Sequence, residues 1–328
     1  MRKRKIGCAL CVAVALSSPA FSQGARVFPT SDKPALTDVY PDRVTHWPGG
    51  VTSLADVTYA VNTGYRPQIV DIYLPPKSGE LKPLILYIHG GGWLAGHTRH
   101  NGALSNFPAV LASLAREGFV VASLEYRLSS EAKFPAQLQD ARAALRFLRA
   151  HAPKYGLDPA RVGLWGGSAG GHLAALTGLT CGVAKFDVAP AAAGSECAQA
   201  VVTWYGVFDA TPMVQRGLAD PMVLELGCVS FPCPADKVAD VSPDTFITAN
   251  GPPFLLIHGD DDKTVPVTQS KDAYVKMTAV GMNAHLVVLP GVDHSFIGHT
   301  PAETRTATLK AVNATFDFFH ATLDRKAK

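Results

Sequence analysis

One serine stands among small residues at the junction of an apolar run and a run that favours helix. Residues 166–170 read Gly-Gly-Ser-Ala-Gly, which fits the pattern G-x-S-x-G. In that pattern a sharp strand-to-helix turn lifts the serine hydroxyl above a sheet, and large side chains two positions away would collide with the neighbouring backbone. The residue types and their spacing therefore predict that Ser168 is a nucleophile.

A serine hydroxyl is a poor nucleophile unless a base takes its proton and a carboxylate orients that base. His294 follows the apolar run at 285–289, which places it in a loop at the carboxyl end of a predicted strand. Three acids follow the apolar run at 254–258, namely Asp260, Asp261 and Asp262. Any of them could reach the histidine, because loops at the carboxyl ends of parallel strands meet at one edge of a sheet. Spacing alone does not choose among the three.

A glycine run predicts backbone donors for a developing oxyanion. Residues 89–93 read His-Gly-Gly-Gly-Trp, and the absence of side chains lets the N–H groups of Gly91 and Gly92 approach a substrate oxygen. The N–H of Ala169, at the start of the predicted helix, completes this oxyanion hole. A phosphate-binding loop is the alternative, but no Lys-Ser/Thr pair and no G-x-G-x-x-G accompanies the run. Trp93 is predicted to line the substrate pocket, with a place in the core as the alternative.

Strands and helices that could position these residues alternate along the chain. The predicted strands are 69–74, 84–88, 119–124, 162–165, 200–204, 254–258 and 285–289, and the predicted helices are 137–150, 170–179, 268–280 and 304–323. Short, wholly apolar strands are typical of parallel sheets that are covered on both sides. The pattern predicts an α/β fold with a mostly parallel central sheet flanked by helices on both faces.

Between about residues 56 and 319 the chain resembles the α/β-hydrolase esterases of the hormone-sensitive-lipase-like and bacterial feruloyl or acetylxylan esterase-like groups. The resemblance rests on the segments 70–75, 89–93, 126–128, 134–136, 166–171 and 252–259. In the family pattern His-Gly-x-x-Asp-x-x-Val-Pro, the aspartate falls on Asp262, because Val265 and Pro266 follow at the right interval. The resemblance implies the α/β-hydrolase fold, a triad of Ser168, Asp262 and His294, and no cofactor or metal.

Length allows one large α/β domain or two modest ones, and composition predicts a sizeable core. The sequence offers no linker that would divide the chain, which favours one domain. The chain has 328 residues, of which 47% are apolar and 17% charged. An irregular arm is expected over residues 23–51, and the catalytic domain over 52–328. The segment 206–250 is rich in proline and lacks periodicity, so it is interpreted as an insertion over the edge of the sheet.

The first residues have the features of a secretory signal peptide. A basic run at residues 2–5 precedes an apolar stretch at 6–16, and small residues then allow cleavage near Ser22, with cleavage after Ala20 as the alternative. The apolar stretch is too short to span a membrane. We expect residues 1–22 to be removed and the mature protein to be secreted or periplasmic.

The expected removal of this segment changes the charge balance. Four of the 30 Lys and Arg residues lie within residues 2–5, so 26 remain against 27 Asp and Glu. A nearly neutral chain offers no electrostatic basis for binding nucleic acid or for stable association with an anionic membrane.

Four cysteines remain outside the signal segment. An even number in an exported chain favours disulfides over catalytic thiols or a metal site. Three pairings are open, and proximity in sequence favours Cys181 with Cys197 and Cys228 with Cys233.

Together these features predict a secreted serine esterase that hydrolyses short-chain, acetyl or feruloyl-type esters through an acyl-enzyme. The expected partner is a small-molecule or polysaccharide-linked ester. A prolyl-oligopeptidase-like serine peptidase and a non-catalytic binding protein on the same fold are the alternatives. The sequence does not indicate an oligomeric state.

Overall fold

The apolar runs of the sequence form the strands of a single sheet. The computed structural model describes residues 43–187 and 194–324, all within the unit Val39–Lys328. The predicted signal peptide and residues 23–42 of the predicted arm lie outside the described residues. The described strands are β1 (Arg43–His46), β2 (Thr52–Ala60), β3 (Gln68–Leu74), β4 (Lys82–Ile88), β5 (Val120–Leu124), β6 (Leu157–Gly167), β7 (Ala200–Trp204), β8 (Phe254–Gly259) and β9 (Ala284–Leu289).

The strand order is β1-β2-β3-β5-β4-β6-β7-β8-β9. From β5 to β9 every neighbouring pair is parallel, whereas β1, β2 and β3 join the sheet through antiparallel pairs. The carboxyl ends of the parallel strands therefore open onto one edge, where loops from different parts of the chain converge. The prediction of a mostly parallel sheet is confirmed.

Helices cover both faces of this sheet. They are α1 (Phe107–Arg116), α2 (Ala136–Ala150), α3 (Ala152–Tyr155), α4 (Ala169–Leu179), α5 (Thr211–Val214), α6 (Pro221–Leu226), α7 (Ala235–Val241), α8 (Thr268–Ala279) and α9 (Pro301–Leu323). Successive side chains of β4 point to opposite faces. Leu84, Leu86 and Ile88 pack into the core shared with α2, α4 and α8, whereas Ile85 and Tyr87 pack into the core shared with α1 and α9.

The antiparallel side of the sheet departs from the predicted arm. Residues 43–46, expected to be irregular, form β1 and pair with β2. All four residues of β1 are exposed, so the strand carries no buried alternation that the sequence could reveal. In β2 the pairing register shifts between Leu54 and Val57, and Asp56 has a φ of 59°. This β-bulge breaks the period of two and hides the strand from pattern analysis.

The insertion at 206–250 contains the short helices α5, α6 and α7. It joins β7 to β8, which are neighbouring strands in the interior of the sheet, so it does not lie beside an outer strand. A Cβ built on Gly92 would lie 3.4 Å from the Cβ of Pro221, so α6 lies close to the glycine run. The insertion therefore lies over the carboxyl ends of the strands.

Two disulfides join the four cysteines of the described chain. Cys181 pairs with Cys197, and Cys228 pairs with Cys233, with Cα–Cα distances of 4.9 and 5.6 Å. Both distances are usual for a disulfide. The pairing favoured by sequence proximity is confirmed.

Across residues 43–187 and 194–324, no helix combines the length and the apolar character that crossing a membrane requires.

Candidate active site

Ser168 lies at the turn between β6 and α4 in a strained backbone conformation. Its φ is 56° and its ψ is −122°, a backbone conformation that residues other than glycine rarely adopt outside functional sites. A Cβ on Gly166 would lie 2.2 Å from the carbonyl oxygen of Gly170, and a Cβ on Gly170 would lie 2.0 Å from that of Ile88. Both glycines are therefore required by close backbone contacts, as the pentapeptide predicts.

Ser168, His294 and Asp262 form a continuous line of hydrogen bonds. The Ser168 Oγ is 2.9 Å from His294 Nε2, and His294 Nδ1 is 2.7 Å from Asp262 Oδ2. These distances are within hydrogen-bond reach, and each histidine nitrogen faces a different partner. The fold thus brings together the three residues that the sequence predicts for the triad.

The carboxylate of Asp262 is buried and accepts hydrogen bonds on both oxygens. Oδ1 accepts from the N–H groups of Thr264 and Val265 at 2.9 and 2.8 Å, and Oδ2 lies 3.2 Å from His258 Nε2. Burial raises the pKa of Asp262, but the hydrogen bonds from His258 and His294 outweigh burial and hold the pKa below its usual value. Asp262 therefore remains ionised beside the imidazole.

The two neighbouring acids have other partners. Asp260 Oδ1 accepts from the N–H of Gly291 at 2.7 Å, and Asp261 pairs with the exposed Lys263 at 3.0 Å. The geometry thus distinguishes Asp262 from Asp260 and Asp261, which sequence spacing alone could not do.

The loop that carries His294 is held in place by Asp293 and by contacts with neighbouring segments. Asp293 Oδ1 accepts from the N–H of His294 at 2.7 Å and from the N–H of Lys263 at 2.9 Å. This carboxylate therefore ties the histidine loop to the loop of Asp262. The Tyr205 ring packs edge-on against the His294 ring, with a centroid distance of 4.7 Å.

The glycine run lies beside Ser168. Gly91 and Gly92 have φ angles of 115° and 61°, and a Cβ on Gly90 would lie 2.7 Å from the carbonyl oxygen of Gly167. Within the part of the chain that the structure describes, the N–H groups of Gly91, Gly92 and Ala169 have no protein acceptor. These three donors are therefore available to an oxygen atom near Ser168.

A cavity of about 400 Å³ opens above these groups. Its lining includes Gly91, Gly92, Ser168, Tyr205 and His294. A volume of this size accommodates a small acyl group together with part of its alcohol.

Trp93 does not line this cavity, contrary to the predicted pocket role. Its side chain is only 4% exposed and belongs to the core beneath the sheet edge, where its ring meets His172 edge-on at 5.0 Å. The carbonyl of Trp93, directly after the glycine run, accepts from the N–H of Ser129 at 2.8 Å. The alternative considered from the sequence, a core aromatic, describes this position.

Tyr205 and Asn101 are among the polar residues of the cavity lining that sequence reasoning missed. Tyr205 follows β7 and its hydroxyl lies 3.3 Å from Asn101 Oδ1, while Asn101 Nδ2 donates to the hydroxyl of Tyr87 at 2.7 Å. The position of Tyr205 immediately after a predicted strand was the available signal, because the site lies at the carboxyl ends of the strands. Asn101 lies in a long loop and offers no comparable signal.

The sequence model of the BD-FAE family matches residues 70–277, which is more than half of the chain. The chain belongs to the BD-FAE family. This match begins in β3 and ends in α8, so it includes Ser168, Asp262 and the glycine run. The resemblance to α/β-hydrolase esterases is confirmed.

Relatives of this BD-FAE protein are named esterases. The chain is 31% identical to Esterase LipC of Mycobacterium tuberculosis over 240 residues, covering 70% of this chain and 57% of the relative. The chain thus spans about half the length of the curated relatives it matches.

Solved structures give longer matches. A truncated carbohydrate esterase from gut microbiota is 29% identical, covers 82% of this chain with 95% of its own, and superposes with a TM-score of 0.71. Esterase 2 of the Planctomycetes species Thermogutta terrifontis, with propionate bound, is 25% identical, covers 87% of this chain with 97% of its own, and has a TM-score of 0.67. The same esterase 2 has been solved phosphorylated by paraoxon.

Proposed function

We propose that this BD-FAE protein is a serine carboxylic ester hydrolase that works through an acyl-enzyme. The observation that carries the proposal is the hydrogen-bonded line from Ser168 through His294 to Asp262, next to three backbone N–H groups that have no acceptor among residues 43–187 and 194–324. This combination of nucleophile, base, orienting carboxylate and oxyanion donors is what acyl transfer requires.

The first half of the reaction forms the acyl-enzyme. As Ser168 Oγ bonds to the ester carbonyl carbon, His294 Nε2 takes the hydroxyl proton and the carbonyl electron pair moves onto its oxygen. Collapse of this tetrahedral intermediate breaks the bond to the alcohol, which leaves with the proton from His294. Asp262 stays ionised throughout and stabilises the imidazolium.

The second half releases the acid. A water molecule gives a proton to His294 Nε2 and attacks the acyl carbon, and collapse of the second intermediate returns that proton to Ser168 Oγ. The N–H groups of Gly91, Gly92 and Ala169 hold the negative oxygen in both steps. Each such donor typically contributes on the order of 10²–10³ in kcat.

We propose short-chain, acetyl or feruloyl-type esters as substrates, either free or attached to polysaccharide. A cavity of about 400 Å³ supports a small acyl group. The similarity to the carbohydrate esterase from gut microbiota supports a substrate linked to carbohydrate. We also propose export, which the two disulfides support because such bonds persist in oxidising compartments.

The two alternatives have less support. Prolyl-oligopeptidase-like peptidases usually use a tyrosine in the oxyanion hole, whereas here the available donors are backbone N–H groups and the Tyr205 hydroxyl faces Asn101. A non-catalytic binding protein on this fold usually lacks a member of the triad, and all three members are in contact here.

A substrate panel tests the proposal. Hydrolysis of p-nitrophenyl acetate, butyrate and octanoate, of methyl ferulate and of acetylated xylan would be measured beside cleavage of aminoacyl anilides, with Ser168→Ala as the control. We expect hydrolysis of the short acyl esters and none in the variant. Cleavage of anilides without cleavage of any ester would instead support the peptidase.

A further inference from the structure

A buried carboxyl group in the insertion lies close to the glycine run. Glu225, near the end of α6, has no exposed surface, and its Oε2 is 2.6 Å from the hydroxyl oxygen of Ser129. Its other oxygen, Oε1, is buried and finds no hydrogen-bond partner among the described residues. Neither the triad nor the oxyanion donors contact this carboxyl group, so the burial of a polar group here needs another explanation.

Ser129 connects Glu225 to the residue that follows the glycine run. The carbonyl oxygen of Trp93 is 2.8 Å from the N–H of Ser129 and 3.0 Å from its hydroxyl oxygen. A serine hydroxyl has one hydrogen, so it can donate to Trp93 or to Glu225 but not to both. If it donates to Trp93, the short contact to Glu225 requires that Glu225 carry a proton and donate to Ser129.

The surroundings of Glu225 favour its protonated form. Burial raises the pKa of Glu225 to about 8, although the hydrogen bond from Ser129 and the charge of Lys133 oppose this. The Lys133 ammonium lies 2.8 Å from the carbonyl of Ser129, and the buried phenol of Tyr126 also interacts with Glu225. Burial raises the pKa of Tyr126 as well, so Tyr126 stays neutral.

We propose that Glu225, in its protonated form, is a positioning residue for the oxyanion hole. The carboxyl donates to Ser129 Oγ, and the Ser129 hydroxyl donates to the Trp93 carbonyl, which fixes the peptide that follows Gly91 and Gly92. Pro221 of α6 lies close to Gly92, so the insertion approaches the loop at a second point. This inference rests on the proposed function, because it assigns the insertion a part in the same site.

Loss of the proton from Glu225 reverses the direction of its hydrogen bond with Ser129. The ionised carboxylate accepts from Ser129, so the Trp93 carbonyl keeps only the N–H of Ser129. The glycine run is then held less firmly, and small displacements of oxyanion donors lower kcat more than KM. We therefore expect kcat to fall as the pH rises through the pKa of Glu225.

The test compares the pH profile of kcat for p-nitrophenyl acetate in the wild type, in Glu225→Gln and in Ser129→Ala. The glutamine amide donates to Ser129 Oγ at every pH, so we expect Glu225→Gln to keep its neutral-pH kcat and to lose the alkaline fall, which in the wild type is about tenfold. Ser129→Ala should have a lower kcat without that fall. Asp236→Asn, which removes an exposed carboxylate from the same insertion, should keep the wild-type profile.

A second readout does not depend on turnover. A raised pKa means that the contribution of the bound proton to stability is full below the ordinary value of 4.5 and is lost as the pH rises through about 8. The Tm of Glu225→Gln, measured relative to the wild-type Tm, should therefore rise as the pH increases from 4.5 to about 8. Above that pH the difference between the two Tm values should be constant. An alkaline fall shared by Glu225→Gln, or a Tm difference that does not change with pH, would overturn the proposal. Absence of wild-type turnover at every pH would overturn the proposed function instead.

Discussion

At the scale of single residues, the acid of the triad is the third of three consecutive aspartates. Asp262 is buried and touches His294, whereas Asp260 accepts from Gly291 and Asp261 pairs with Lys263. The sequence could narrow the acid to this loop, and the family pattern pointed to Asp262. Only the folded loop shows the physical reason, which is that the backbone N–H groups of residues 264 and 265 orient this carboxylate.

Asp262→Asn and Asp260→Asn should therefore have different effects. An asparagine at position 262 removes the charge that stabilises the imidazolium and can favour the wrong tautomer of His294, so kcat should fall by about 10⁴-fold. Asp260→Asn leaves the histidine contacts in place, and its kcat should stay within a few-fold of the wild type. Steady-state kinetics on p-nitrophenyl acetate measures both, and the reverse ranking would move the assignment to Asp260.

At the scale of elements, β4, β6 and α4 approach so closely that glycine is required where they meet. The pattern G-x-S-x-G predicted this close approach, because its glycines are needed where the backbones of strand and helix meet. The antiparallel strands β1 and β2 could not be predicted in the same way. Exposure of β1 and the bulge in β2 erase the alternation on which strand prediction depends.

Gly170→Ala tests the close approach. The added Cβ would lie 2.0 Å from the carbonyl oxygen of Ile88 and 2.6 Å from that of His89, so α4 or the strand end must move. We expect a loss of about 1–3 kcal/mol in the free energy of unfolding, together with a lower kcat. Urea unfolding measures the first effect.

Gly281→Ala is the matched control for that variant. Gly281 has a φ of 81° and nothing within 4 Å of its added Cβ, so the substitution introduces backbone strain without a clash. We expect it to leave kcat unchanged. Equal losses of kcat in the two variants would show that the contact at Gly170 does not matter for the site.

At the scale of the whole molecule, the site is assembled from loops that are far apart in the sequence. The motifs placed the triad and the glycine run because each lies at the carboxyl end of a strand, and the sheet brings those ends together. The side-chain surroundings followed less directly. Trp93 turned into the core, and Tyr205 became the neighbour of His294, because such choices depend on packing between segments that no local pattern records.

The central claim is that Ser168 is the activated nucleophile of this assembly. The most direct measurement is inactivation by paraoxon followed by mass spectrometry of the intact chain and of its peptides, with Ser168→Ala as the control. We predict one diethylphosphoryl group per chain, located on Ser168, loss of ester hydrolysis in step with labelling, and no labelling of the variant. Labelling of another residue at the same rate, or full ester hydrolysis by Ser168→Ala, would contradict the account.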